Sequence, residues 1–510
     1  MVVSKKRAKV IMVQGTGSYV GKSVIVSALC RIFKQDGFRV APFKAQNMAL
    51  NSFVTLQGDE MGRAQVTQAE AAGIEPSVDM NPILLKPSGD IKAQVIVSGK
   101  PIGNMSGKEY YRHRMRFLKI IKGSFQRLSG NYDIVVIEGA GSPAEVNLRK
   151  NDVVNMAMAR IADCPVILVG DINVGGVFAW LVGTLELLTA AERRRIKGVI
   201  INKFRGDINI LKPGLDFLEK KIRKPVLGVI PYFHDISIPE EDSIAKEKYR
   251  LPGNRPKKGK INIEVLYLPH ISNFTDFDPL EKEPDVRLRY LVQGEKIGEP
   301  DCIIIPGSKN TIGDLVYLKR SGMAEAIINK AHKGAVVVGI CGGYQMLGKE
   351  IKDPYNMESR RKAIAGLGML PLMTVIFKNK VTHQVQAEDL LFGAGSVSGY
   401  EIHMGKTSLL EPLKPIFRIF SRSRQPVDVA DGVASENGKV WGTYIHGLFE
   451  NDCFRKKFLD SLRGKVSCGG KSPDTQKCFN SFLEEKEKEY DKLAALVRQN
   501  LDMRKIYSLL

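Results

Sequence analysis

The chain has 510 residues, 44% hydrophobic and 26% charged, with a net charge of +21 at neutral pH. That length supports two or three domains with cores of their own, and the composition is that of a globular enzyme rather than a disordered or fibrous chain. No apolar run approaches the roughly 20 residues of a membrane span. The stretch Val10–Val13 behind the basic Met1–Lys9 is too short for a signal peptide and reads as a first strand. The lysines and arginines are spread among acids, as in Glu484–Glu489, with no basic stripe interleaved with aromatics. This favours anionic small substrates, or a plainly solvated face, over nucleic acid.

The seven cysteines include no Cys-x-x-Cys pair. Cys30, Cys164 and Cys302 sit inside apolar segments, and Cys453, Cys468 and Cys478 lie late in the chain without a histidine cluster. Neither a disulfide framework nor a zinc site is expected, and a reducing cytoplasm is.

In the first half, short apolar runs alternate with helical patterns. Strands are expected at Val10–Gln14, Val40–Phe43, Ile134–Ile137, Val166–Val169, Val199–Ile201 and Val226–Ile230, and helices at Lys22–Asp36 and Glu60–Ala72. Continuous apolar strands bounded by glycines and acids suit a parallel sheet covered on both faces, hence a doubly wound α/β domain.

Gln14-Gly15-Thr16-Gly17-Ser18-Tyr19-Val20-Gly21-Lys22-Ser23 follows the first strand and opens a helix. Backbone N–H groups of such a loop, here around Gly15, Thr16, Gly17 and Gly21, surround phosphate oxygens. Lys22 neutralises the outer phosphates, and the Ser23 hydroxyl suits Mg²⁺. The first glycine of the usual spacing falls on Thr16, and no second lysine precedes Lys22, which separates the loop from the partition ATPases. Glu138, ending the strand Ile134–Ile137 ahead of Gly139-Ala140-Gly141, is placed to reach the same Mg²⁺; the alternative is a helix cap or surface acid. Asp171 is a weaker candidate of the same kind, and Asn202 stands where an amide recognising the nucleotide base can sit. Lys44-Ala45-Gln46-Asn47-Met48-Ala49-Leu50-Asn51-Ser52 is dense in amides around one lysine. Lys44, Gln46, Asn47 and Asn51 suit a substrate rich in carboxylates and amides, and a loop packed for structural reasons is the competing reading.

Leu251–Lys260, rich in Pro, Gly and Lys, has linker composition. A second α/β set follows, with strands at Ile261–Leu268, Cys302–Ile305, Ala335–Ile340 and Val440–Ile445. Its centre is Gly339-Ile340-Cys341-Gly342-Gly343-Tyr344-Gln345, a strand, a Gly-x-Cys-x-Gly turn and a helix start: a nucleophile elbow with cysteine as the nucleophile. Glycines flank the cysteine because the turn leaves no room for larger side chains, and the N–H groups opening the helix favour a thiolate and a tetrahedral oxyanion. A thiolate needs a proton partner. His446, at a strand end before Gly447, is preferred among the seven histidines over His403. The turn Pro306–Thr311 offers backbone N–H groups, so Gly307 and Gly342 are the expected oxyanion hole. From about Asp452 the pattern is helical and highly charged.

Taken together, these segments resemble the cobyric acid synthase family, the glutamine-hydrolysing amidotransferases of cobalamin biosynthesis. The resemblance spans nearly the whole chain and rests on Gly15–Ser23, Lys44–Ser52, Glu138–Leu148, Gly170–Ala179, Ile201–Asp207, Pro306–Thr311, Gly339–Gln345, Gly399–Gly405 and Tyr444–Phe449. It implies a dethiobiotin synthetase-like phosphate-loop domain at 1–250, a linker at 251–260, a class I glutamine amidotransferase-like α/β domain at 261–455 and a helical tail at 456–510. It further implies Cys341 as nucleophile with His446 as partner, ATP and Mg²⁺ as cofactors, glutamine as ammonia donor, and a corrinoid substrate amidated at its b, d, e and g carboxylates. The ordinary class I triad places a glutamate two residues after the histidine. Leu448 stands there instead, so what orients the imidazole is left open. The related a,c-diamide synthases share both domains, and Lys44–Ser52 speaks against them. A nucleotide-switched binding protein with an inert glutaminase-like module is the alternative from another class.

Overall fold

The computed structural model describes residues 7–87, 92–233, 235–239, 259–464 and 481–510. The expected linker thus lies outside the described residues apart from Gly259 and Lys260.

Six apolar strands of the N-terminal half pair in parallel in the order Val226–Pro231, Ile196–Phe204, Val166–Asp171, Lys9–Gly15, Ile134–Glu138, Val40–Phe43. Side chains on both faces are buried, which is why these runs lack the polar alternation of a one-sided sheet. Lys9–Gly15 lies between the strands that end in Glu138 and Asp171, where the chain reverses its direction of winding. Crevices at the carboxyl ends of strands at such a point are where α/β sheets take ligands.

The helix expected at Lys22–Asp36 is present at Lys22–Gln35, with Asp36 as its C-cap. The helix expected at Glu60–Ala72 begins only at Arg63. Glu60–Gly62 is instead a strand antiparallel to Ser52–Val54. The local cause is Gly62: its N–H donates to Asn81 Oδ1, and a Cβ there would stand 2.6 Å from Asn47 Nδ2. Glu60 itself is pulled inward by two lysines. A four-stranded sheet, Gln46–Met48, Ile83–Pro87, Lys92–Val97 and Lys100–Ser106, stands beside the main one.

The C-terminal half has its parallel strands in the order Val286–Leu291, Ile261–Leu266, Cys302–Ile305, Val336–Ile340, Val440–Thr443. The sheet continues beyond Val440–Thr443 into long antiparallel strands, Gln425–Ala434, Pro415–Arg422, Leu372–Asp389 and Gly395–Leu409, which the apolar-run reading did not anticipate. Their polar, half-exposed sequences give no continuous apolar signal.

The tail does not end on the C-terminal half. Its helix Ser481–Asn500 returns to the N-terminal half, where Leu493, Ala494, Val497, Leu501 and Ile506 join the core beneath Lys22–Gln35. Arg31 bonds Glu487 and Asp491 at 2.7 Å each, and Asp502 donates its N–H to the Leu227 carbonyl. Among the described cysteines, Cys30, Cys164, Cys302 and Cys341 are free and buried, whereas Cys453 is disulfide-bonded. Among the described residues no helix is long and apolar enough to cross a membrane.

Candidate active sites

The phosphate loop closes between the first strand and the Lys22–Gln35 helix. Gly21 adopts φ 97°, open to glycine at little cost, and a Cβ there would meet the Asn202 amide. Gly15 packs as tightly, its absent Cβ lying 2.5 Å from Val20 Cγ2. Lys22 Nζ reaches back to the carbonyls of Gly17 at 2.7 Å and Gly141 at 3.2 Å, spanning the mouth of the loop. Thr16 donates its N–H to the Val169 carbonyl. Asn202 donates its amide to the Val20 carbonyl at 2.9 Å, so its observed work is to brace the loop rather than to face a base.

Glu138 is fully buried at the centre of this site. Its Oε1 accepts from Ser23 Oγ and from Lys44 Nζ, both at 2.9 Å, and its Oε2 accepts from Gln68 Nε2 at 2.5 Å. The expected metal ligands Ser23 and Glu138 and the expected substrate residue Lys44 therefore converge. Gln68, on the Arg63–Ala72 helix, was not foreseen. Asp171 is set apart, paired with Lys203 at 2.8 Å. Two other amides of the 44–52 segment are partly spent on holding it: Gln46 accepts from the Tyr110 hydroxyl and Asn47 donates to Gln65 at 3.0 Å, while the backbone carbonyl of Asn51 takes the Arg63 N–H. Gln46–Met48 forms an edge strand, from which Met48 points outward.

In the C-terminal half Cys341 has φ 51° and ψ −105°, a backbone position that a side chain-bearing residue rarely adopts and that marks the expected elbow. The flanking glycines have no room to grow: a Cβ on Gly343 would sit 1.9 Å from the Ile305 carbonyl, and one on Gly339 would sit 2.7 Å from the backbone of Gly343. His446 is 1% exposed and lies beside Cys341, whose thiol donates to the Ile402 carbonyl at 3.6 Å. Its Nδ1 lies 2.6 Å from Asp276 Oδ2, and Asp276 Oδ1 takes the Gly447 N–H at 3.0 Å. Asp276 thus orients the imidazole, supplying what Leu448 does not. Burial works against the imidazolium, but the Asp276 charge and hydrogen bond, together with Cys341, outweigh it and raise the His446 pKa to about 10. His403 is engaged elsewhere, on the Gly405 carbonyl and stacked against Tyr444.

Gly307 lies against the imidazole, since a Cβ on it would be 3.1 Å from His446 Cε1. The N–H of the next residue, Ser308, is 2.9 Å from where a Cβ of Gly342 would stand. The Pro306–Thr311 turn and the elbow are therefore neighbours. Asp276 carries no motif. It sits 170 positions before His446 in a short turn, Phe274–Phe277, and only the fold brings the two together.

Residues 11–244 match a CobQ/CobB/MinD/ParA nucleotide binding domain, and residues 262–454 match a CobB/CobQ-like glutamine amidotransferase domain. The chain is 53% identical over 508 residues to the cobyric acid synthase of Caldanaerobacter subterraneus subsp. tengcongensis, with 98% of each chain covered. It is 54% identical to that of Thermoanaerobacter sp. and 49% identical to that of Syntrophobacter fumaroxidans, each with 98% of both chains covered. With both domains matched and identity of this order from end to end, the chain belongs to the cobyric acid synthase family.

Proposed function

We propose that the protein uses ATP and glutamine to amidate the b, d, e and g carboxylates of adenosylcobyrinic acid a,c-diamide, giving adenosylcobyric acid, in the cytoplasm. The observation that carries this reading is the presence in one chain of two complete sites: a cysteine elbow with an oriented histidine, and a phosphate loop with Glu138 and Lys44 at its mouth.

At the C-terminal site the Cys341 sulfur attacks the side-chain amide carbon of glutamine. The oxyanion is met by the N–H of Gly342 and by the turn at Gly307, and His446 gives its proton to the departing nitrogen, so ammonia leaves. Water, deprotonated by His446, then hydrolyses the glutamyl thioester and frees Cys341. Asp276 holds the imidazole in one tautomer and offsets its charge through both steps.

At the N-terminal site a corrin carboxylate attacks the γ-phosphorus of ATP, forming an acyl phosphate and ADP. Ammonia then attacks the acyl carbon and phosphate leaves. A carboxylate is a poor electrophile, which is the reason ATP is needed. Ser23 Oγ and Glu138 offer the hard oxygen donors Mg²⁺ takes beside a phosphate loop, and the ion would neutralise charge on the phosphates. Lys22 lies across the loop where the outer phosphates bind, and Lys44 is placed to meet either the γ-phosphate or the incoming carboxylate.

Mass spectrometry of the a,c-diamide incubated with protein, Mg²⁺, ATP and glutamine tests this. Stepwise conversion of the remaining carboxylates to amides is expected. Amidation of unmodified cobyrinic acid alone would move the activity to the a,c-diamide synthases, and no change in either corrin would refute a corrin substrate.

A further inference from the structure

The segment that meets Glu138 through Lys44 ends at Ser52, where the two halves of the molecule join. Ser52 is 1% exposed, and each of its polar groups is engaged at that junction. Its N–H donates to Asn273 Oδ1 at 3.1 Å, and its carbonyl accepts from the Tyr400 hydroxyl at 3.4 Å. Its own hydroxyl accepts from Lys86 Nζ at 2.8 Å. Lys86 also binds one oxygen of the buried Glu60 at 3.1 Å, and the other oxygen takes Lys380 from the C-terminal half at 2.5 Å.

The partners of Ser52 are also the supports of His446. The Tyr400 ring stacks on the imidazole, with centroids 5.3 Å apart and planes inclined by 18°. Asn273 donates to the Tyr400 hydroxyl at 3.3 Å and opens the turn that carries Asp276. One residue of the N-terminal half therefore touches both the ring stacked on His446 and the turn that orients it. The two bonds to the Tyr400 hydroxyl, 3.3 and 3.4 Å, are long. A shift of well under 1 Å in the 44–52 segment is enough to break them, because hydrogen bonds weaken steeply beyond about 3.5 Å.

We propose that Ser52 is the contact through which the ATP-dependent site governs glutamine hydrolysis, with Tyr400 and Asn273 as positioning residues for His446. This rests on the two-site reading above. Its chemical rationale is that ammonia made before an acyl phosphate exists is lost by protonation, so a contact between the sites conserves glutamine.

The test uses the full chain with Tyr400→Phe, which keeps the stacked ring and removes only the hydroxyl, and Asn273→Gly, which removes the amide at a backbone φ of 55° that glycine accepts. Glutamate and corrin amide are quantified together in reactions driven by glutamine, and amide alone in reactions driven by ammonium chloride. Both variants are expected to keep the ammonia-driven rate. Glutamine-driven amidation should fall about tenfold, the worth of one buried hydrogen bond, and glutamate released per amide should rise above the wild-type ratio. Variants that keep the wild-type ratio overturn the proposal, as does a parallel loss of both activities, which marks a structural role only. A wild-type protein that amidates no corrin refutes the function itself, before any variant is compared.

Discussion

In the proposed mechanism the pair Asp276–His446 sets the chemistry of Cys341, and its charge state has a measurable signature. A histidine with an ordinary pKa near 6.5 is held at about 10 in the folded protein by a carboxylate 2.6 Å away. A folded pKa above the unfolded one means that the protonated form is bound more tightly by the fold. The stabilisation is complete below about pH 6.5 and is lost as pH rises towards 10. In Asp276→Asn the counter-charge is gone and this window flattens, which urea titrations across that pH range will show. The same variant should lower glutamine-driven turnover by up to about 10⁴-fold, the loss seen when a triad aspartate becomes asparagine. Amidation driven by added ammonia should not change. Equal loss with both nitrogen sources would show that Asp276 supports the fold and not the imidazole.

Among the elements, the tail helix Ser481–Asn500 is the one whose place the sequence concealed. Its charged, amphipathic pattern says that one face is buried, but not against what. The structure lays that face on the helix that follows the phosphate loop. Leu493 is fully buried there, so Leu493→Ala should cost about 2–5 kcal/mol. The loss should appear in chemical denaturation as a lowered midpoint, with weakened ATP binding. Unchanged stability would mean that the tail only rests on the surface. The elements that were legible are those with a local physical cause. The parallel strands are continuous apolar runs, the phosphate loop needs Gly21 at positive φ, and the cysteine elbow needs glycines that no Cβ could replace. The antiparallel strands from Leu372 to Ala434 were not legible because their mixed exposure gives no continuous run. Glu60–Gly62 is a strand despite its helix-compatible sequence because Lys86, Lys380 and Asn81, from other segments of the chain, override it. Asp276 escaped notice for the same reason: no spacing rule connects it to His446, whereas the Cys341 elbow announces itself within seven residues.

For the whole molecule, one chain holds a site that consumes ATP and a site built to release ammonia, joined through a buried junction. Glu60 is fully buried between Lys86 and Lys380, drawn from opposite halves, and burial and the two ammonium groups together leave its pKa at about 2. Such a pair of buried contacts is costly to break once formed, about 3–5 kcal/mol for loss of one partner, so the halves act as one body rather than as tethered modules. In the proposed mechanism the labour is divided: Cys341 serves only glutamine, and Lys22 serves only the phosphoryl step. The most direct measurement is amidation of the corrin by Cys341→Ala and Lys22→Ala, each with glutamine and with ammonium chloride, with glutamate release followed in parallel. Cys341→Ala should form amide from ammonia alone and release no glutamate, while Lys22→Ala should form amide from neither source and release glutamate no faster than the wild type does without ATP. Amide formed from glutamine by Cys341→Ala, or from ammonia at the wild-type rate by Lys22→Ala, would contradict the account.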